Sequence, residues 1–237
     1  MKKLYLCGKN TVIDAIKNNR NIIDVIYVIS NSHEQKIKEI SSNIKTSLKD
    51  QIFFKDFQNE NHQGYIAFLK DFPIYDLETI KKDKPENILI LDHIQDTHNF
   101  GAILRTANAA GINHIVIPKD RAADITPTVL KISSGGFIGM KIIKVNSISA
   151  TIDKLKKWGF WIYVSALDKN SQAYNKIEYN KPTAMVVGNE ETGASKSVLN
   201  IADQTVYIPQ FGSVQSLNVS VATGILIFEL IKNKNEI

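Results

Sequence analysis

Apolar and polar positions follow one regime up to about residue 70 and another from residue 87 onward. In the first stretch, Thr11–Ile16 has helical spacing behind Gly8 and Asn10. Asp24–Ile29 is rich in β-branched residues, and Asn31-Ser32 closes it with turn chemistry. Residues 32–42 read as a polar helix carrying Ile37 and Ile40, Gln51–Phe54 as a strand, and His62–Leu69 as a turn followed by a strand. Residues 71–87, with Pro73, Pro85 and the charged run Lys81–Lys84, read as a linker with one helical turn. From Asn87 the pattern becomes a regular alternation of short apolar strands and amphipathic helices. The predicted strands are Ile88–Leu91, His114–Ile117, Lys141–Val145, Phe160–Ala166, Ala184–Val187 and Val206–Ile208. The predicted helices are Phe100–Ala110, ending at Gly111; Thr128–Ile132; Ser149–Trp158, closed by Gly159; and Leu217–Lys232. Such alternation predicts an α/β fold with a parallel sheet covered on both faces. The expected division is a small α/β domain over 1–70, a linker over 71–87 and a larger domain over 88–237.

Composition narrows the picture without naming a function. At 237 residues the chain has room for one large domain or two small ones. No apolar run approaches the ~20 residues of a membrane helix, and the basic start lacks the apolar length of a signal peptide. Cys7 is the only cysteine, which excludes an intramolecular disulfide and a cysteine-rich zinc site and fits a reducing cytoplasm. A lone cysteine of this kind is expected to be buried rather than catalytic. The net charge of +5 is mild and spread over both regions, so it permits RNA binding through local patches without announcing it. Lys2, Lys3, Lys9 and Arg20 are candidate contacts, with a solvated face as the plainer reading.

Three polar segments interrupt the larger domain, each at a strand-to-helix junction, where open α/β sheets bind ligands. The first runs from Asp96 to Ala107. Asn99 sits where a helix N-cap is expected, Gly101 and Ala102 keep the first turn thin, and Arg105 lies within an otherwise apolar helix. An exposed arginine paired with Asp96 is the plainer alternative there. The second, Gly188–Ser195, nearly matches a phosphate-binding loop, but Ala194 replaces the required lysine, and Glu190 and Glu191 would repel a triphosphate. Its glycines suit a loop wrapping a neutral or cationic ligand, or a tight turn before a helix capped by Ser195. The third, Ile208–Ser220, places Pro209 and Gly212 in a loop and Ser216 and Asn218 around a helix start. Ser216 would serve there as an ordinary N-cap. There is no Gly-x-Gly-x-x-Gly after a strand and no Gly-x-Ser-x-Gly elbow, which speaks against dehydrogenases and serine hydrolases. The histidines show no metal spacing; His93 and His98 flank Asp96 only loosely.

Taken together, these segments resemble the three motifs of the SpoU (TrmH) branch of the SPOUT RNA methyltransferases. Asn99-x-Gly-Ala-x-x-Arg-Thr-Ala resembles the first motif. Val187-Gly-Asn-Glu-x-x-Gly193 resembles the second, and Ile208-Pro-x-x-Gly-x-x-x-Ser-Leu-Asn-Val-Ser220 the third. Residues 1–70 resemble the small substrate-binding domain of the 23S rRNA guanosine-2′-O-methyltransferase subgroup through Gly8-x-x-x-Val-x-x-Ala-Ile16 and His62-Gln-Gly64. Thr97 stands where the family often has proline, and Gln210-Phe211 replaces a commoner methionine-containing pair.

The resemblance implies a deep trefoil knot in the C-terminal domain, homodimerisation through its helices, and S-adenosyl-L-methionine (SAM) as the cofactor, with no metal. It places the adenosine part of SAM on the backbone of Gly188, Ile208 and Leu217, with Asn189, Gly193, Pro209 and Gly212 in the same loops. It assigns activation of the ribose hydroxyl to Arg105, oriented with the ribose by Asn99, Glu190, Ser216 and Asn218. A guanidinium stays protonated, so the physically consistent role is electrostatic. The implied activity is 2′-O-methylation of a ribose, a guanosine in 23S rRNA. The alternatives are a tRNA 2′-O-methyltransferase, an antibiotic-resistance rRNA methyltransferase and, from another class, a non-catalytic RNA-binding module.

Overall fold

The computed structural model describes residues 4–214 and 216–232; Lys2, Lys3 and Gln215 of the third motif lie outside them. The chain divides into two compact units, one running to Phe72 and including Ile125–Gly139, the other formed by Pro73–Asp124 and Met140 onward.

The first unit begins with β1 (Tyr5–Cys7), α1 (Lys9–Asn19), β2 (Ile23–Val28), α2 (Asn31–Ile40), β3 (Thr46–Leu48), α3 (Gln51–Lys55) and β4 (Tyr65–Leu69). Its sheet has the order β1-β4-β2-β3, with β4 antiparallel to both β1 and β2, and β3 parallel to β2. The strand expected at Gln51–Phe54 is instead the helix α3. The Asp50 carboxylate accepts a hydrogen bond from the Phe53 backbone N–H at 2.9 Å and caps it. The aromatic residues that looked like a strand are used for packing. Phe53 meets Tyr27, and Phe57 meets Tyr5 with ring centroids 5.0 Å apart and the planes nearly perpendicular.

Cys7 is buried beneath this cluster with Phe54 and Ile66. Burial pushes its thiol up to about 12, and the Glu60 carboxylate acts in the same direction. At pH 8 the group is therefore a thiol rather than a nucleophilic thiolate. The native protein is expected to show negligible reaction with a disulfide reagent at that pH, and one reactive thiol per chain after guanidinium denaturation. Rapid labelling of the native protein would mean that Cys7 is accessible.

The second unit opens with β5 (Ile74–Tyr75) and α4 (Glu78–Asp83), which occupy the stretch expected as a linker. It continues through β6 (Asn87–Asp92), α5 (Thr97–Ala109) and β7 (His114–Pro118). The chain then passes through α6 (Pro127–Ile132), which groups with the first unit through buried Val129 and Leu130, although the sequence pattern places it in the 88–237 domain. The remaining elements are β8 (Lys141–Val145), α7 (Ile148–Lys157), β9 (Trp161–Ser165), β10 (Gln172–Ala173), β11 (Thr183–Gly188), α8 (Lys196–Leu199), β12 (Gln204–Tyr207) and α9 (Val219–Leu230).

The eight strands pair in the order β10-β12-β9-β11-β6-β7-β8-β5, and every neighbouring pair is parallel. The central strands β6 and β11 are buried along their whole length, which explains their almost continuous apolar sequence. Side chains of β6, β7, β8, β9 and β11 join Ile148, Ile152 and Leu155 of α7 in one core. From β6 the chain proceeds to β7 and β8 on one side, whereas β9, β11 and β12 lie on the other. The strand order therefore reverses between β6 and β11, and crevices for ligands form beyond the C-terminal ends of such strands. No described helix is long and apolar enough to cross a membrane.

Candidate functional site

The three polar segments meet at this reversal. β6 and β11 end side by side, with Asp92 in register with Gly188. Asp92 is 1% exposed, and its carboxylate needs donors to offset burial. It accepts from the Ser195 backbone N–H at 2.8 Å through one oxygen and lies 2.7 Å from His93 Nδ1 through the other. The chain leaves β6 through His93, whose φ of 65° is unusual for a residue with a Cβ. The His93 carbonyl in turn accepts from the Asn189 side-chain amide at 2.9 Å. Asn189 closes its own loop. Its backbone exchanges hydrogen bonds with Gly193 in both directions, and its Oδ1 accepts from the backbone N–H groups of Glu191 and Thr192. The loop folds back so tightly that a Cβ on Gly188 would lie 2.0 Å from the Ala194 nitrogen, and Gly193 takes a φ of 67°.

The caps differ from those expected. Asp96, not Asn99, caps α5, accepting from the Asn99 backbone N–H at 2.7 Å. Asn99 thus falls within the first turn, where its side chain is available for other partners. Its Nδ2 donates to Glu190 Oε1 and its Oδ1 accepts from Asn218 Nδ2, both at 2.9 Å. Asn218, not Ser216, caps α9, accepting from the backbone N–H groups of Ser220 and Val221. The chain Glu190–Asn99–Asn218 therefore ties all three motifs together across separations of 91 and 119 residues.

Two cavities flank this chain. One, of about 530 Å³, lies beyond β9, β11 and β12 and is lined by Gly188, Asn189, Gly193, Ile208, Gly212, Ser216 and Leu217, with Val187, Val206 and Ala222 supplying apolar surface. The other, of about 620 Å³, is polar and includes Asn99, Asn189, Glu190 and Gly193. Glu190 borders both. Pro209 lines neither. Arg105 sits on the exposed side of α5, about two turns beyond Asn99, and also lines neither.

The polar cavity contains residues to which the sequence pattern gave no role: His93, Gln95 and Arg121. Arg121 has a φ of 52° in the loop after β7, and that loop is tied to the segment after β6 by the Ala123 N–H donating to the Ile94 carbonyl at 2.8 Å. The polar run Lys119-Asp-Arg directly after an apolar strand was the available signal, since strand C-termini carry the site in this fold class. His93 is held by Asp92, its Nδ1 2.7 Å from the buried carboxylate.

A fully parallel sheet with its polar loops gathered at the strand reversal defines a ligand-binding α/β enzyme fold. Residues 86–228 match the SpoU rRNA methylase family, and residues 5–75 match the substrate-binding domain of RNA 2′-O ribose methyltransferases. A Staphylococcus haemolyticus protein assigned to the TrmH family of tRNA/rRNA methyltransferases is 31% identical, covering 100% of this chain and 98% of its own. The 23S rRNA (guanosine-2′-O-)-methyltransferase RlmB of Blochmanniella floridana is 33% identical over 96% of this chain and 94% of its own. The AdoMet-bound rRNA methyltransferase structure from Sinorhizobium meliloti shares the fold, with a TM-score of 0.81 and 22% identity, over 99% of this chain and 89% of that one. The chain belongs to the SpoU rRNA methylase family of RNA 2′-O-ribose methyltransferases.

Proposed function

We propose that this protein transfers the methyl group of SAM to the ribose 2′-hydroxyl of a guanosine in 23S rRNA. The observation that carries the reading is the Glu190–Asn99–Asn218 hydrogen-bond chain, which joins the three motifs at the boundary between an apolar-walled cavity and a polar one. The guanosine and the 23S target are drawn from the likeness to RlmB.

The residues present fit SAM. A cavity of about 530 Å³ lies within the usual ~300–1,000 Å³ of small-molecule sites. Its glycine-bounded backbone and apolar walls suit an adenosine, and the Glu190 carboxylate on its border suits a cationic sulfonium end. We assign the backbone of Gly188, Ile208 and Leu217 to the adenosine part, with Asn189, Gly193, Pro209 and Gly212 shaping the loops. When bound, SAM supplies a methyl group already activated on sulfur. The protein's remaining work is to place a weakly acidic hydroxyl in line and stabilise the charge that develops on it, and positioning alone can contribute up to ~7–11 kcal/mol. Arg105 is assigned to a phosphate beside the target ribose and to the developing oxyanion, through its bidentate fork. Asn99, Glu190, Ser216 and Asn218 hold the ribose and the arginine in register.

The same reading makes the protein a cytoplasmic homodimer with a knotted C-terminal segment. Val221 (52% exposed) and Phe228 (48%) give α9 an apolar outer face that a second copy would cover. The N-terminal unit would grip the RNA.

The test is transfer of labelled methyl from SAM to deproteinised total RNA, followed by size separation and nucleoside identification. Label in 23S rRNA as 2′-O-methylguanosine is the expected result. Label in tRNA would keep the chemistry and replace the substrate. Absence of SAM binding would overturn the reading as an enzyme.

A further inference from the structure

In an all-parallel sheet every strand N-terminus lies at the end opposite the site just described. There the second unit holds a third cavity, of about 490 Å³, formed where the chain enters β6, β9 and β11. Phe160 and Ile80 are buried at its base, and Pro85 and Pro182 stand at its sides. Trp158, partly buried at the end of α7, contributes a flat indole wall. The Lys81 ammonium sits 5.9 Å from the indole centroid, a cation–π approach that leaves the ammonium in solvent. Lys84 lines the rim from the left-handed residue that ends α4. Lys181 is held differently, its ammonium hydrogen-bonded to the Asn87 side-chain oxygen and the Leu230 carbonyl, so it shapes the wall. Glu86 is the one carboxylate among the lining residues, against three lysines. Beyond the cavity, Lys157 is exposed on α7 next to Trp158, whereas Lys82 on α4 lies among Asp76, Glu78 and Thr79.

A planar apolar wall with movable ammonium groups at its edge suits a planar ligand carrying negative charge outside the ring, which is the chemistry of a nucleotide. Separate ammonium groups at Lys81, Lys84 and Lys157 favour a polymer over a mononucleotide, because a polyanion presents several phosphates to them at once. We propose that this cavity is a second RNA-binding site, taking one unstacked base against Trp158 while neighbouring phosphates engage Lys81 and Lys84. The inference rests on RNA being the substrate but not on the identity of the methylated nucleotide. Its place at the far end of the sheet makes it independent of the cofactor cavity.

The experiment measures binding of a fluorescent single-stranded RNA oligomer to the full chain across a salt series, with SAM binding as the control. Trp158→Ala is expected to weaken RNA binding ~10-fold, and Trp158→Phe to restore most of it, since any aromatic face stacks a base. The pair Lys81→Gln and Lys84→Gln is expected to flatten the slope of log affinity against log salt by ~0.7 for each phosphate no longer neutralised. SAM affinity stays unchanged in all of these variants. Unchanged RNA affinity in a folded Trp158→Ala variant, together with an unchanged salt slope in the folded lysine variants, would overturn the proposal. Binding of AMP or GMP as tight as that of the oligomer would also overturn it and assign the cavity to a free nucleotide. A wild-type protein that methylates RNA while these variants bind it normally would sink this site alone and leave the proposed function standing.

Discussion

Gly188→Ala is expected to abolish SAM binding and lower the melting temperature. The added Cβ would lie 2.0 Å from the Ala194 nitrogen, 2.1 Å from the Gly193 carbonyl carbon and 2.5 Å from the Ala194 Cα. These are backbone atoms, so no side-chain rotation relieves the overlap. The loop is held by the reciprocal Asn189–Gly193 hydrogen bonds and by the Ser195 N–H bonded to buried Asp92, so moving it breaks that set. Overpacking a well-filled site typically costs ~1–3 kcal/mol, and a clash with the Gly193–Ala194 backbone this close belongs at or above the upper end. The checks are a thermal melt and calorimetric titration with SAM. Wild-type stability together with wild-type affinity would remove this loop from the cofactor site.

Arg105→Ala is expected to separate chemistry from cofactor binding. Arg105 is exposed on α5 and lines neither cavity, so its loss is expected to leave the walls of the cavity assigned to SAM in place. Removing a group that stabilises developing oxyanion charge costs ~10²–10³ in rate, and methyl transfer should fall by about that factor or more. Arg105→Lys keeps the charge but loses the two-pronged geometry, and should recover only part of the rate. Single-turnover methyl transfer and SAM titration measure the two effects separately. Loss of SAM affinity in the alanine variant would place Arg105 in the cofactor pocket, and an unchanged rate would remove it from the mechanism.

The two variants also show which signals lie on the surface of the sequence. Gly188 and Gly193 were readable because a glycine pair after an apolar strand is a local pattern with a local cause. Arg105 was readable as an arginine in an apolar helix, though periodicity alone left its exposed placement as one of two alternatives. The caps were harder. Asp96 and Asn99 can both cap a helix, as can Ser216 and Asn218. The structure assigns the cap to Asp96 at one helix and Asn218 at the other. With Asp96 satisfying the α5 terminus, Asn99 is left to bind Glu190 and Asn218, so its function depends on a choice no local rule could make.

By itself the sequence determined that the larger part of the chain is a parallel α/β sheet. It also determined that three polar segments interrupt that sheet at strand ends, and that their order and spacing are those of SpoU methylases. Strand burial, helix amphipathicity and turn chemistry are short-range, and a one-dimensional pattern records them. The tertiary structure alone decided that Gln51–Lys55 is a helix, that α6 packs with the N-terminal unit, and that Arg121 and His93 line the polar cavity. It alone joined Glu190, Asn99 and Asn218. The physical reason is separation along the chain. A hydrogen bond between residues 91 or 119 positions apart forms only after the intervening strands have paired, and that pairing sets which polar side chains come within hydrogen-bonding reach of one another.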